Sequence, residues 1–490
     1  MSILRTRVRS HPRLIGAPGS GYSRTNMSGP KYRTVPASIK GMPPGIPYIV
    51  VNEAAERYSY YGMRAILVLF MTQHLRGADG QLATMSDAAA KESYHLFAAA
   101  VYATPIFGAL IADGLLGKYR TILSLSLVYC AGHFALAVDE TRVGLLIGLG
   151  LIAVGAGGIK PCVSAHVGDQ FGPANRERIP RVFAWFYFAI NAGALLSTLF
   201  AEVLLDRFGP SVAFGVPGAL MLLATFVFWL GRHHFVHVPP AGAAFVRDVF
   251  SREGLGALGR LFVLYVFIAM FWSLYDQTAS AWVLQAEHMD RHFIVDWGPS
   301  QIQAINPLLI LLFIPLFSYV IYPAVARLVE PTPLRRIGAG LFLTVVAFLV
   351  PAWIEARLGA GVRVNIAWQL VAYVLMTAAE ILVSITALEL SYTQAPRRMK
   401  SFVMGAFFLS ITVGNLFTSA VNFFIVNPDG SSKLPGAEYY LFFAGAMLIA
   451  AVLYVPAAVW FEPRAYIQGE SDGGAPLDDA VAAGAPGGAS

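Results

Sequence analysis

The chain has 490 residues, of which 56% are hydrophobic and 13% charged, with a mean hydropathy of +0.59. Soluble globular chains carry about 25% charged residues, so water is not the only solvent of this one. A formal net charge of +6 and a pI near 9.2 would suit a nucleic-acid partner, but the basic residues stand at the ends of apolar runs and form no patch interleaved with aromatics; membrane topology accounts for them better.

Apolar runs of about 20 residues, the length that spans a hydrocarbon core, occur twelve times. They centre on 46 to 74, 93 to 115, 119 to 138, 143 to 168, 180 to 204, 212 to 231, 258 to 284, 299 to 326, 335 to 356, 365 to 392, 400 to 425 and 438 to 461. Both cysteines, Cys130 and Cys162, fall inside spans, where a thiol acts as a small apolar group. Residues 1 to 45 hold eight Lys or Arg and no acid. That composition also suits a mitochondrial transit peptide, but a basic tail beside a first span is the reading taken here, and no signal-peptide core precedes span 1. The loops after spans 2, 4, 6, 8 and 10 add Lys118, Arg120, Arg176, Arg178, Arg232, Arg247, Arg252, Arg327, Arg335, Arg336, Arg397, Arg398 and Lys400. The opposite loops hold fewer, so the positive-inside rule predicts cytoplasmic termini.

The expected organisation is a basic tail over 1–45, a six-helix bundle over 46–231, a cytoplasmic linker over 232–257, a second six-helix bundle over 258–462 and a disordered tail over 463–490. Two such halves are the layout of a secondary transporter with its site near the midplane. The linker contains His233, His234 and His237, a spacing open to a metal, but a polar helix end is the better account, and no metal is expected. No Walker-type phosphate loop supports ATP-driven transport, and no nucleophile, base and orienting group stand at a recognisable spacing, so an enzyme is not expected.

The informative residues are the charges inside the spans, since a central Asp, Lys or Arg costs about 2.5–3.5 kcal/mol on insertion scales. Span 1 places Glu53, Glu56, Arg57, Tyr60 and Arg64 at helical intervals, on one polar stripe. Span 2 offers His95 and Tyr102 on one face; His95 is either a hydrogen-bonded structural residue or a proton acceptor. Span 4 has Lys160 within AGGIKPCVSA, where the glycines and Pro161 would let the helix open or kink, and a lysine there needs a carboxylate partner or an anionic ligand. Asn191 and Asn306, in spans 5 and 8, read by themselves as helix packing. Span 7 carries Trp272 and Asp276, and span 10 carries Glu380, which must protonate or meet a cation from another helix. Bases Arg64 and Lys160 in the first half and acids Asp276 and Glu380 in the second would suit a zwitterion spanning both halves, such as a peptide with free ends. With no peptide, either base is expected to pair with Asp276 or Glu53.

These residues resemble the proton-dependent oligopeptide transporter (POT/PTR) family, a branch of the major facilitator superfamily, over about residues 45 to 462. Span 1 is similar to its ExxER motif followed by Tyr-Tyr-Gly, here Glu53, Glu56, Arg57, Tyr60, Tyr61 and Gly62, with Tyr58 where Phe is more usual. GALIADGLLGKYRTI with Asp113, AGGIKPCVSAHVGDQF with Lys160, FYFAINAGALLS and FWSLYDQ follow in the family's order. His95, Tyr102 and Asp276 look closest to the animal-type peptide transporters. No long gap between spans 9 and 10 leaves room for their extracellular domain, and the linker has no room for two extra helices. The resemblance therefore implies an all-α integral membrane protein with 12 transmembrane helices in two six-helix halves.

It also implies a proton-coupled symporter of di- and tripeptides in the plasma membrane, working by alternating access with protons as coupling ion and no cofactor. By the same resemblance Glu380, Asn191 and Asn306 would meet the peptide's amino group, and Arg64 and Lys160 its carboxylate. Tyr60, Tyr102 and Trp272 would line side-chain pockets, and Glu53, Glu56, Arg57, His95, Lys160 and Asp276 would form the proton and gating network. The rival readings are a proton-coupled carrier of nitrate or another small solute, and a peptide sensor that moves nothing.

Overall fold

The computed structural model describes residues 32–172, 174–175, 178–240, 242, 251–394, 400–427, 431–461, 464–465 and 475–476. The first 31 residues, residues 241 and 243–250 of the linker, most of the C-terminal tail and the basic residues Arg176, Arg247, Arg397 and Arg398 lie outside the described residues.

Twelve long helices follow the apolar runs. In the first half they are α1 (Ile46–Leu69), α2 (Asp87–Ile111), α3 (Lys118–Val138), α4 (Arg142–Asp169), α5 (Ile179–Phe208) and α6 (Pro210–Leu230). In the second they are α7 (Arg252–Tyr275), α8 (Ile305–Leu316), α9 (Pro333–Gly359), α10 (Ala367–Glu380), α11 (Lys400–Phe424) and α12 (Ala437–Trp460). Short helical segments extend α7 through Ala281–Glu287, α8 through Tyr322–Ala326 and α10 through Thr386–Gln394. Eleven of these continuous stretches are long and apolar enough to cross a membrane. The exception is α1, the helix that carries the charged stripe.

Burial is inverted relative to a soluble protein. Large apolar side chains such as Phe134, Leu146, Leu223 and Val459 face outward, while Glu53, Glu56, Asp276 and Asn415 are each 1% exposed or less. One apolar core runs through residues 46 to 235 with a few side chains of the α7 extension, and a second runs from 261 to 461. The main seams between the two are α2 against α11 and α5 against α8.

Two local features place the site. First, α4 runs unbroken through Lys160 and Pro161, where the sequence suggested an opening. The glycines there serve close packing: Gly157 lies against Thr104 and Gly158 against Leu125, positions at which a Cβ would collide. Thr104 donates its hydroxyl to the Ala153 carbonyl at 2.8 Å, which ties α2 to α4. Second, α7 does break. It tightens into a 3₁₀ turn over Asp276–Ala279 and leaves helical geometry at Ser280 (φ −133°, ψ −86°). A further irregularity follows Glu380, where five residues, Ile381–Ile385, form a π-helical turn, a distortion common at functional sites.

Candidate functional site

The charged stripe of α1 faces the protein interior. Gly193 of α5 permits this packing, because a Cβ there would sit 2.9 Å from the Ala54 carbonyl oxygen and 3.4 Å from Arg57 Cβ. Arg57 Nε donates to Glu53 Oε1 at 2.7 Å and lies 3.2 Å from Glu56 Oε2. One guanidinium thus serves two buried carboxylates, and Glu53 Oε2 and both Glu56 oxygens make no hydrogen bond.

Among the described residues, Lys160, 8% exposed, has no carboxylate within ion-pair distance and makes no hydrogen bond. Its ammonium sits 3.9 Å from the Tyr60 ring centroid and 4.5 Å from that of Tyr102. The expected pairing with Asp276 or Glu53 is absent because both acids are taken, Glu53 by Arg57 and Asp276 by Arg64. Ring quadrupoles hold the cation instead, and they leave its N–H donors free for an anionic group.

The largest network joins the halves. Arg64 Nη2 meets Asp276 Oδ1 at 2.5 Å, and Arg64 Nε donates to the Tyr94 hydroxyl. Asp276 Oδ2 accepts from Asn415 Nδ2 at 2.6 Å, and Asn415 Oδ1 faces His95 Nδ1 at 2.7 Å. A carboxylate only accepts, so the amide nitrogen must point to Asp276 and the amide oxygen to His95. His95 Nδ1 then donates to Asn415 Oδ1, and Nε2 lies 2.9 Å from the Ser280 hydroxyl. The expected network of Glu53, Glu56, Arg57, His95, Lys160 and Asp276 therefore divides in three: the α1 carboxylates with Arg57, His95 and Asp276 linked through Asn415 with Arg64 locked to Asp276, and Lys160 by itself between two rings.

Glu380 closes α10. Its Oε2 accepts from Asn306 Nδ2 at 2.7 Å, and the same amide reaches Thr377 Oγ1 at 3.1 Å. The Tyr275 hydroxyl donates to Asn306 Oδ1 at 3.3 Å. Among the described residues no cation lies within ion-pair distance of Glu380. Asn306, which by itself read as packing, holds the acid and accepts from Tyr275, the residue before Asp276. Trp272 is buried with its indole N–H unpaired, edge-on to Tyr275 at 5.2 Å between centroids. Asn191 is buried on α5.

The sequence reading missed Tyr94, Tyr275, Ser280 and Asn415. Asn415 carried the only available signal, an amide in mid-span, the same signal that drew attention to Asn191 and Asn306. The three linker histidines spread among aromatics: His237 stacks on Tyr32 at 4.2 Å, His234 stacks on Tyr48, and His237 Nε2 lies 2.8 Å from the Arg232 carbonyl.

A twelve-helix bundle with two cores and a buried, mixed-charge interior at the seam defines a polytopic membrane protein of the transporter class. The sequence profile of the POT family matches residues 119–253 and 251–441, and the chain belongs to that family, which is one of transporters. It is 39% identical over 364 residues to Peptide transporter family 1 of Drosophila melanogaster, covering 64% of this chain and 48% of that protein. It is also 39% identical over 370 residues to human solute carrier family 15 member 2, covering 64% of this chain and 49% of that protein. The chain thus spans about half the length of the curated relatives it matches. Among solved structures, the in meso crystal structure of the POT family transporter PepTSo superposes with a TM-score of 0.78 at 36% identity, covering 86% of this chain and 99% of that one. An auto-inhibited POT family peptide transporter gives 0.77 at 36% identity, covering 89% and 99%.

Proposed function

We propose that the protein is a proton-coupled symporter that imports di- and tripeptides across the plasma membrane by alternating access, with both termini cytoplasmic. One observation carries this reading. The interior holds an unpaired ammonium, Lys160, in the first half and a carboxylate with no cation, Glu380, in the second. A ligand with a free carboxylate and a free ammonium would satisfy both and draw the halves together. The relatives printed as peptide transporters support the substrate class.

In this reading Glu380, held by Asn306, takes the peptide's amino group with Asn191 nearby, and Lys160 takes the carboxylate. Arg64 joins Lys160 only by leaving Asp276, so binding the carboxylate loosens the cross-half pair. Tyr60, Tyr102 and Trp272 line the side-chain space. The α1 carboxylates with Arg57, and His95 with Asp276, carry protons and gate; the proton is the coupling ion and no cofactor is invoked. Labelled dialanine, offered to proteoliposomes under an inward proton gradient, should accumulate. Uptake of nitrate without dialanine would indicate the anion carrier instead, and dialanine binding without uptake a sensor.

The Arg64–Asp276 pair gives a direct check. Either charge alone is left buried without its partner, so Arg64→Asp and Asp276→Arg should each cut dialanine uptake by more than tenfold, since breaking a buried pair costs about 3–5 kcal/mol. The double variant should recover part of the activity. A double variant no better than the worse single one removes the pair from the gate.

A further inference from the structure

A second charged cavity opens near the start of α2, one turn before His95. It has a volume of about 250 Å³, the share of about eight waters at about 30 Å³ each. Both halves wall it: Ser86, Asp87 and Lys91 from the start of α2, and Gln285, Glu355 and Tyr439 from the α7 extension, α9 and α12. The Lys91 ammonium sits 3.9 Å from the Tyr439 ring centroid, a cation–π seat, and the Tyr439 hydroxyl is fixed by Asn422 Nδ2 at 3.2 Å. On the second-half side, Glu355 Oε2 accepts from Gln285 Nε2 at 2.8 Å, and Gln285 is held in turn by the Pro351 carbonyl at 2.9 Å and by Gln369 Nε2 at 3.3 Å. Among the described residues Lys91 makes no ion pair or hydrogen bond, and neither Asp87 nor Glu355 has a cation within ion-pair distance. Yet these two acids are the opposite charges that act on Lys91.

From this geometry we infer that the cavity is a second, outer binding site for a small zwitterion, an amino acid or short peptide with free ends, whose carboxylate meets Lys91 and whose ammonium meets Glu355. The inference rests on the carrier reading, in which the start of α2 faces the non-cytoplasmic side, and adds to it a place where substrate is held outside the inner site. A bare anion would meet Lys91 but lie under the influence of two carboxylates, and a bare cation would meet the carboxylates against the ammonium. A ligand with both charges satisfies both sets through charge-assisted hydrogen bonds. No three metal-ligating side chains converge among the described residues, so the acids do not form a metal cage. The two charges that define the site are also prearranged, Lys91 by its ring and Glu355 by Gln285, so little ordering is left for the ligand to impose. Asp87, exposed at the rim, draws the ammonium toward the opening.

Equilibrium dialysis of labelled dialanine against the full chain in nanodiscs counts the sites, and two molecules should bind per chain. Glu380→Gln should remove the inner one and leave the other. Adding Lys91→Met to that variant, which keeps the stem over Tyr439, should weaken the remaining site at least about tenfold through loss of one charged contact. Adding Glu355→Gln instead, which still accepts from Gln285, should do the same. Acetylated dialanine and dialanine amide, each lacking one end charge, should both bind this site at least about tenfold more weakly than dialanine. One molecule per chain, lost with Glu380→Gln, overturns the outer site and leaves the peptide reading standing. A second site indifferent to Lys91→Met or to Glu355→Gln, or one that takes a blocked peptide as well as the free one, also overturns it. A site that survives Glu380→Gln and fails in both outer variants upholds it even where proteoliposomes accumulate no dialanine, the outcome that removes the carrier reading.

Discussion

Glu380→Gln should nearly abolish uptake of dialanine in proteoliposomes while the protein still purifies as a folded monodisperse species. The substitution keeps the shape of the side chain and the hydrogen bond from Asn306, which reaches Glu380 Oε2 at 2.7 Å. It removes only the negative charge. A peptide ammonium brought into this half of the interior would then be buried without a counter-ion, a loss on the order of 3–5 kcal/mol. That corresponds to more than a hundredfold in affinity. Acetylating the peptide's amino end should reproduce the loss in the unsubstituted protein, because it removes the same charge pair from the ligand side. Equal binding of the free and acetylated peptide would take Glu380 out of this role.

Glu56→Gln should separate coupling from binding. Glu56 is fully buried, and neither of its oxygens accepts a hydrogen bond, so its main partner is Arg57 at 3.2 Å, which Glu53 shares. Glutamine fixes the neutral state and leaves the Glu53–Arg57 bond in place. Gradient-driven accumulation should fall to background, whereas exchange of peptide for peptide should continue, because Lys160 and Glu380 are untouched. The stake is large: each proton entering down 100 mV supplies about 2.3 kcal/mol, close to a fiftyfold peptide gradient at one proton per peptide. Counterflow and gradient-driven uptake on the same vesicles read both quantities. Loss of both would make the stripe a binding or architectural element, and retention of both would shift coupling to His95 and Asp276.

The helices were readable because apolar length is a local property, and the α1 stripe because helical spacing converts sequence distance into a shared face. What sequence could not supply was partner choice. Asp276 and Asn415 are 139 positions apart, and nothing local marks a mid-span asparagine as the link between Asp276 and His95 rather than as packing. Lys160 stood out as a charge inside a span, but its aromatic seat depends on Tyr60 and Tyr102 arriving from two other helices. Gly157 and Gly158 suggested a break because glycine lowers helix propensity; they instead let α2 and α3 come close, and such packing leaves no local trace. The break fell in α7, at the motif itself.

The poor apolarity of α1 has a consequence for biosynthesis. It precedes the other eleven spans described here, yet it holds Glu53, Glu56, Arg57 and Arg64, each costing about 2.5–3.5 kcal/mol near the bilayer centre if unpaired. Its packing partners α5 and α6 are translated more than a hundred residues later. Alone, α1 should partition poorly, so chains truncated after α2 should show incomplete membrane integration of α1 in a glycosylation-mapping assay, and chains extended through α6 should show it restored. Equal integration of both lengths would sink the idea. If it holds, the charges that crowd α1 make that helix depend on later ones, and the first half must mature in the membrane as a unit.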